Sequence, residues 1–304
     1  MPNARLGDLT ENQITKLLKA GQLEIDLGPM RVAIRSEVPD LTRALSLVYG
    51  QYPICGPSPF VDIRVALLRG QGLRSAVRPQ IRFFVDGNFP FEPFPASNHL
   101  PFVEWGMNWT IAHRSNVHLL LHAGVVEKNG HGIVLSALPG SGKSTLTAAF
   151  VASGFRLFSD EFGVLRLSDH TLIPLLRPIA LKNDSITVIR NFSRDIVMGP
   201  VFHGTRKGDV AHVAPNAESV TRRSEPVKPR LILFPKFVPG AATTLEPEQP
   251  SRAFSRLSVN SFNYELLGPV SFQALAELVK GCPAYRLQYS DLDSAITAVN
   301  QLVS

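Results

Sequence analysis

The sequence predicts an α/β fold over residues 101–304, preceded by a small α+β module over residues 1–100. Three observations predict it. In the middle third, two apolar strands flank a Lys128-Asn129-Gly130 turn and lead directly into the glycine-rich run Ala137-Leu138-Pro139-Gly140-Ser141-Gly142-Lys143-Ser144. The segment Thr145 to Ser153 then has helical character, Gly154 is placed to end it, and a short apolar strand from Phe155 to Ser159 runs into Asp160-Glu161. In the first third, by contrast, apolar and polar residues alternate with period two, as half-buried strands do.

Taken in order, Leu23 to Leu27 and Arg31 to Arg35 alternate around a Gly28-Pro29 turn, a hairpin signal. Asp40 is placed to cap a helix carrying Leu41, Ala44, Leu45 and Val48 on one face. A Pro/Gly-rich loop follows from Gln51 to Pro59, then strands at 61–68 and 80–85, the second ending at Asp86-Gly87. Residues 88–101 hold four prolines and three phenylalanines and read as an irregular crossing that still packs its rings. Pro101 opens a helix to His113 with Phe102, Trp105, Trp109 and Ala112 aligned, the tryptophans expected in a buried contact between the two domains. His118 to Val126 and His131 to Ser136 form the hairpin before the loop. The last third adds a basic segment from Arg222 to Arg230 and a strand from Leu231 to Phe234. A helix around Ser271 to Lys280 follows, with Phe272, Leu275, Ala276 and Val279 aligned. A strand from Ala284 to Tyr289 then precedes a helix over 291–302, introduced by a capping box from Ser290 to Asp293.

Composition narrows the function classes. The net charge of +6 suits an anionic ligand, and 22 of the 31 basic residues are Arg, the better bidentate partner for phosphate. These residues are scattered, without the basic stripe of a nucleic-acid surface. Two distant cysteines, Cys55 and Cys282, form neither a disulfide framework nor a metal set, which fits a reducing cytoplasm. Nothing between Met1 and Lys19 has the apolar centre of a signal peptide, and no run reaches the ~18 apolar residues that span a bilayer.

The glycine-rich run has the chemistry of a phosphate cradle. Gly140 and Gly142 let backbone amides converge, and the helix that follows contributes its positive end. Leu138 through Thr145 are therefore the predicted nucleotide-binding residues, with ATP as the ligand. Lys143 is placed to reach the β- and γ-phosphates and Ser144 to ligate Mg²⁺. The one departure is Ala137, where a first glycine is usual. Asp160 and Glu161, at the end of what reads as a neighbouring parallel strand, are candidates for metal binding, and Asp160 for accepting a hydroxyl proton. Two adjacent acids on an extended chain point opposite ways, so one of them faces the phosphates.

At these residues the chain resembles the HPr kinase/phosphorylase family, and most closely its offshoot, the HPr-kinase-related proteins of type A. The resemblance is densest from about His118 to Ala180. It implies a P-loop kinase domain of the HPr kinase and phosphoenolpyruvate carboxykinase type. Family members carry a histidine on the strand before the hairpin, matched by His122, and an acidic pair, matched by Asp160-Glu161. Arg177 matches a later family arginine, whereas a family glutamate two residues earlier is Leu175 here, which argues against phosphorolysis. Gly204 to His212 falls where the family has a basic substrate-side loop, making Arg206 and Lys207 candidates for closing over phosphates.

The resemblance implies a Mg·ATP-dependent kinase acting on a hydroxyl, serine by expectation, of a small protein or peptide. Its catalytic residues would be Asp160, His122, Lys143 and Arg206, and its metal residues Ser144, Asp160 and Glu161. A nucleotide-binding adaptor and a plain NTPase are the alternatives. Nucleic acid and membrane are excluded as partners, and self-association is left open.

Overall fold

A computed structural model of the chain describes residues 4–303 except 57, 59, 71, 73, 74 and 76. Pro57 and Pro59 of the expected loop, and residues 1–3, lie outside the described residues. The chain begins with α1 (Glu11–Ala20), β1 (Leu23–Asp26), β2 (Arg31–Ser36), α2 (Pro39–Val48), β3 (Ile63–Arg69), β4 (Gln80–Val85), β5 (Phe94–Pro95) and α3 (His99–Arg114). The middle follows as β6 (His118–Lys128), β7 (His131–Ser136), α4 (Lys143–Ala152), β8 (Arg156–Ser159), β9 (Phe162–Arg166) and β10 (Leu172–Ile173). Then come β11 (Ile179–Lys182), α5 (Asp184–Phe192), β12 (Phe202–Thr205), β13 (Gly208–Val213) and α6 (Ala217–Thr221). The chain ends with β14 (Pro229–Phe237), β15 (Thr244–Pro247), α7 (Pro250–Val259), α8 (Tyr264–Leu267), α9 (Pro269–Gly281), β16 (Ala284–Tyr289) and α10 (Leu292–Val303). The class is mixed α/β, and no helix among the described residues is long and apolar enough to cross a membrane.

The chain forms two compact units, one of residues 1–114, 180–186 and 197–221, the other of 115–179, 187–196 and 222–304. In the first, β1 to β5 form a sheet in sequence order, with β2 and β3 parallel and the other neighbours antiparallel. Asp86 and Gly87 both take positive φ, so the Asp-Gly pair closes its turn as read. The division differs from a break at residue 100 because α3 lies on this sheet: a Cβ at Gly106 would come within 2.3 Å of the Phe83 ring. The fully buried apolar residues of α3 are Leu100, Phe102, Val103, Met107 and Ile111, while Trp105 and Trp109 are half-buried and meet Phe91 within the same unit. The rings of the 88–101 segment thus pack as expected, Phe94 stacking on Phe102 at 4.5 Å.

Three local readings are corrected. Pro39 occupies the first turn of α2 and Val38 its N-cap, so Asp40 sits inside the helix rather than capping it. The last helix is capped by Asp291, which accepts the Ser294 amide at 2.8 Å, while the Ser290 hydroxyl donates to the Ala241 carbonyl. Phe272 is exposed on α9 with its edge toward Phe254, and Leu278 takes the inward place. Helix α1 was not read, although Thr10 and Gln13 form a reciprocal capping box at its start.

The second unit is organised by β6, whose eleven residues give each edge a different job. One edge pairs with β7 across the Asn129-Gly130 turn, both residues at positive φ. The other edge pairs with β9 along 118–122 and with β8 along 125–127, so β8 and β9 run end to end with Asp160-Glu161 at the break. The Ser159 hydroxyl accepts the amides of Glu161 and Phe162 and so shapes that break. The strand carrying Asp160 is therefore not the neighbour of the loop strand. It lies one strand away and runs in the same direction, because both are antiparallel to β6. On the far side of β7, β14 is parallel to it and β16 parallel to β14. Strands β7, β8, β14 and β16 thus end on one side of the sheet, where α/β sheets place their ligands. Leu121, Val134, Ile232 and Leu275 are fully buried in this unit, each worth about 1.5–3 kcal/mol of burial.

Candidate functional site

The glycine-rich loop leaves β7 at Ala137 and enters α4 at Lys143. Gly140 and Gly142 take φ of +84° and +85°, a conformation costing other residues about 1–2 kcal/mol. Gly142 has a second reason to lack a side chain, since a Cβ there would come within 2.5 Å of the Tyr289 hydroxyl. The loop braces its carbonyls on the scaffold. Leu138 O accepts from the Ser141 hydroxyl at 2.6 Å, Ser141 O from the Phe237 amide at 3.0 Å, and Gly142 O from Tyr289 at 3.2 Å. The amides of Lys143, Ser144 and Thr145, on the first turn, have no intrahelical acceptor, as at any helix start. Leu138, Pro139 and Gly140 are exposed, Ser141, Gly142, Ser144 and Thr145 half-buried.

Lys143 is buried and its ammonium donates to the main-chain carbonyl of Asp160 while lying 3.5 Å from Oδ1 of the same residue. Asp160 is buried too, and this Oδ1 accepts no hydrogen bond. A buried carboxylate oxygen without a hydrogen-bond donor, 3.5 Å from the ammonium of Lys143, the residue before Ser144, suits a hard divalent cation or a transferable proton. Ser144 and Asp160 carry oxygen donors of the kind Mg²⁺ takes, and Glu161 is the third oxygen donor beside them in sequence.

The two acids part company. Asp160 turns to Lys143, and Glu161, whose side chain is 41% exposed, places Oε1 3.7 Å from Nε2 of His122. Burial holds the His122 imidazole below its usual range, with Lys143 acting the same way and Glu161 and Asp160 opposing. The imidazole is consequently neutral at neutral pH. Phe262 lies against it at 5.3 Å between ring centres and against Phe162 at 4.7 Å.

Among the other predicted residues, Arg177 is buried in the second unit and Leu175 is fully buried. Arg206 belongs to the first unit, on the turn between β12 and β13, where its guanidinium stands 4.9 Å from the Phe94 ring centre. The second unit thus brings together the loop, Lys143, Asp160, Glu161 and His122, and neither Arg206 nor Lys207 is part of it.

Three residues of this site were not read from the sequence: Phe237 and Tyr289, the last residues of β14 and β16, and Asn260, which follows α7. No local pattern marks them, although strand ends beside a glycine-rich loop are the place to look. No family model matches the chain, and no curated protein matches it in sequence.

Proposed function

We propose that this chain is a Mg·ATP-dependent phosphotransferase of the HPr kinase and phosphoenolpyruvate carboxykinase type, moving the γ-phosphoryl group to a serine hydroxyl of a small protein or peptide. The observation that carries this reading is the meeting of Lys143 and Asp160 beside a loop held open by Gly140 and Gly142. In-line transfer needs positioning and charge neutralisation more than covalent help. The loop amides and the start of α4 cradle the phosphates, and Lys143 offsets their charge. Bound Mg²⁺ would supply further charge neutralisation, and Ser144, Asp160 and Glu161 would be the residues to hold it. The acceptor oxygen forms a bond to the γ-phosphorus while the bridging P–O bond to ADP breaks. Asp160 takes the acceptor's proton on its open oxygen.

The test is transfer of label from γ-labelled ATP into a lysate of the source organism, resolved by size. A labelled small protein or peptide, reduced at least about a hundredfold by Lys143→Ala and by Asp160→Asn, is expected. Mg·ATP binding that Lys143→Ala abolishes, with no labelled species from the wild type, would overturn transfer to a protein. The second reading, a nucleotide-binding adaptor or an NTPase acting on water, is favoured by fully buried Leu175, which brings no acid to the site. Release of labelled phosphate separates these two.

A further inference from the structure

When β7 turns away into the loop at Ala137, it leaves the edge of β6 beside His122 without a strand partner, because the β6–β7 ladder stops at Ala123 opposite Ser136. Asn260 takes the vacated place. Its main-chain carbonyl accepts the His122 amide at 2.8 Å, and its side-chain Nδ2 donates to the His122 carbonyl at 3.0 Å. The same nitrogen reaches the Ser136 hydroxyl at 3.0 Å and the Ala137 carbonyl at 3.4 Å, at the point where the loop begins. The remaining side-chain atom, Oδ1, lies 3.2 Å from Nδ1 of the His122 ring.

These contacts fix the amide's orientation. Two carbonyl oxygens face one end of the Asn260 side chain, so that end is the NH₂ group and the other is the oxygen. An amide oxygen only accepts, so the ring nitrogen facing it must carry hydrogen. In a neutral imidazole the second nitrogen is then bare, and that nitrogen, Nε2, is the one directed at Glu161.

We infer that Asn260 is a positioning residue for His122, holding the imidazole as the Nδ1–H tautomer and presenting the Nε2 lone pair to the Glu161 side of the site. It also ties that ring to the first residue of the phosphate loop, so the loop and the histidine share one anchor. The consequence for phosphoryl transfer rests on the function proposed above; the tautomer does not.

The experiment is a two-bond proton–nitrogen correlation spectrum of the full chain labelled with ¹⁵N-histidine, at a pH where imidazoles are neutral. His122→Gln assigns the signal by its loss. The wild type is expected to show His122 protonated on Nδ1. Asn260→Ala is expected to shift it to the Nε2–H form or a mixture. A wild-type His122 protonated on Nε2 overturns the inference, as does an unchanged signature in a folded Asn260→Ala protein. Should Asn260→Ala fail to fold, the wild-type spectrum decides alone, and the Nε2–H form there overturns the inference. In the label-transfer assay, Asn260→Ala is expected to lower turnover about a hundredfold, the scale of a positioned proton-transfer group, with Mg·ATP affinity within about threefold. Absence of transfer in the wild type would sink the proposed reaction and leave the spectroscopic result standing.

Discussion

The two ends of β8 each carry a buried ion pair, and they are built for opposite purposes. At its start, Arg156 has every side of its guanidinium engaged. Nε meets Glu127 at 2.9 Å, the terminal nitrogens meet Glu225 and the Glu225 and Arg222 carbonyls, and the plane lies 4.4 Å from the Phe158 ring centre. Glu127 in turn accepts the Gly130 amide at 2.7 Å and lies 3.5 Å from Arg222. At the other end, Lys143 and Asp160 are buried too, but their contact is one ammonium against the Asp160 main-chain carbonyl and, 3.5 Å away, its Oδ1. A buried charge held by several partners at once locks a strand in place. A buried pair with few partners beside an exposed loop can exchange them for a ligand, and this difference in partners separates scaffold from site between the start of β8 and the residue after it.

Removing one charge should weigh most heavily at the scaffold end. Arg156→Met leaves the buried Glu127 carboxylate with the more distant Arg222 as its cation and is expected to cost about 3 kcal/mol in urea unfolding. Asp160→Asn should cost less than about 1 kcal/mol, because groups kept incomplete for chemistry contribute little to stability. Equal losses would erase the distinction between the ends. Per folded molecule, phosphoryl transfer should show the reverse order, surviving Arg156→Met and falling at least about a hundredfold in Asp160→Asn.

A smaller effect tests the loop that faces the open pair. Gly142→Ala forces a Cβ into positive φ and against the Tyr289 hydroxyl, for an expected loss of about 1–2 kcal/mol by thermal unfolding. Tyr289→Phe removes the atom it meets, so the double variant should lose less than the two single losses added. Strict additivity would show that Tyr289 does not shape the loop.

The smallest contrast is in pH. Because His122 titrates below the ordinary imidazole range when folded, the unfolded chain takes up a proton first as pH falls below about 6.5. Stability present above that value is lost as pH falls toward the folded value, and His122→Gln should lose less over the same interval. At the scaffold end, the hydrogen bond from Arg222 lowers Glu225, so its contribution is present above about pH 4.3 and is lost as pH falls through the folded value. Unfolding measured from pH about 8 to 3 should therefore show the site end responding first. A response of both ends only below pH about 5 would contradict the neutral, buried state of His122.

Much of this arrangement was legible in the chain because it is short-range. The Asn129-Gly130 and Asp86-Gly87 turns, the glycine-rich run between a strand and a helix, and the acid pair at a strand's end each depend on a few adjacent residues. Misread elements failed for equally local reasons. Pro39 pre-empted Asp40 at the start of α2, and Asp291 displaced Ser290 at the last helix, because competing cap residues one position apart look alike in sequence. Phe272 was aligned with Leu275 and Val279, yet Leu278 takes the inward place, since helical periodicity gives a face and not its neighbours.

By itself, then, the sequence determined the α/β class, the glycine-rich loop between a strand and a helix, and the identity of Lys143, Asp160, Glu161 and His122 as the residues to examine. Only the tertiary structure decided that β6 lies between the loop strand and the acid strand. Only it brought Asn260 to His122 across 138 residues of chain and Tyr289 to Gly142 across 147. Local propensity acts over a turn or two of backbone, whereas strand order and long-range hydrogen bonds are chosen by which apolar faces can be buried together, and that choice is made by the whole fold at once.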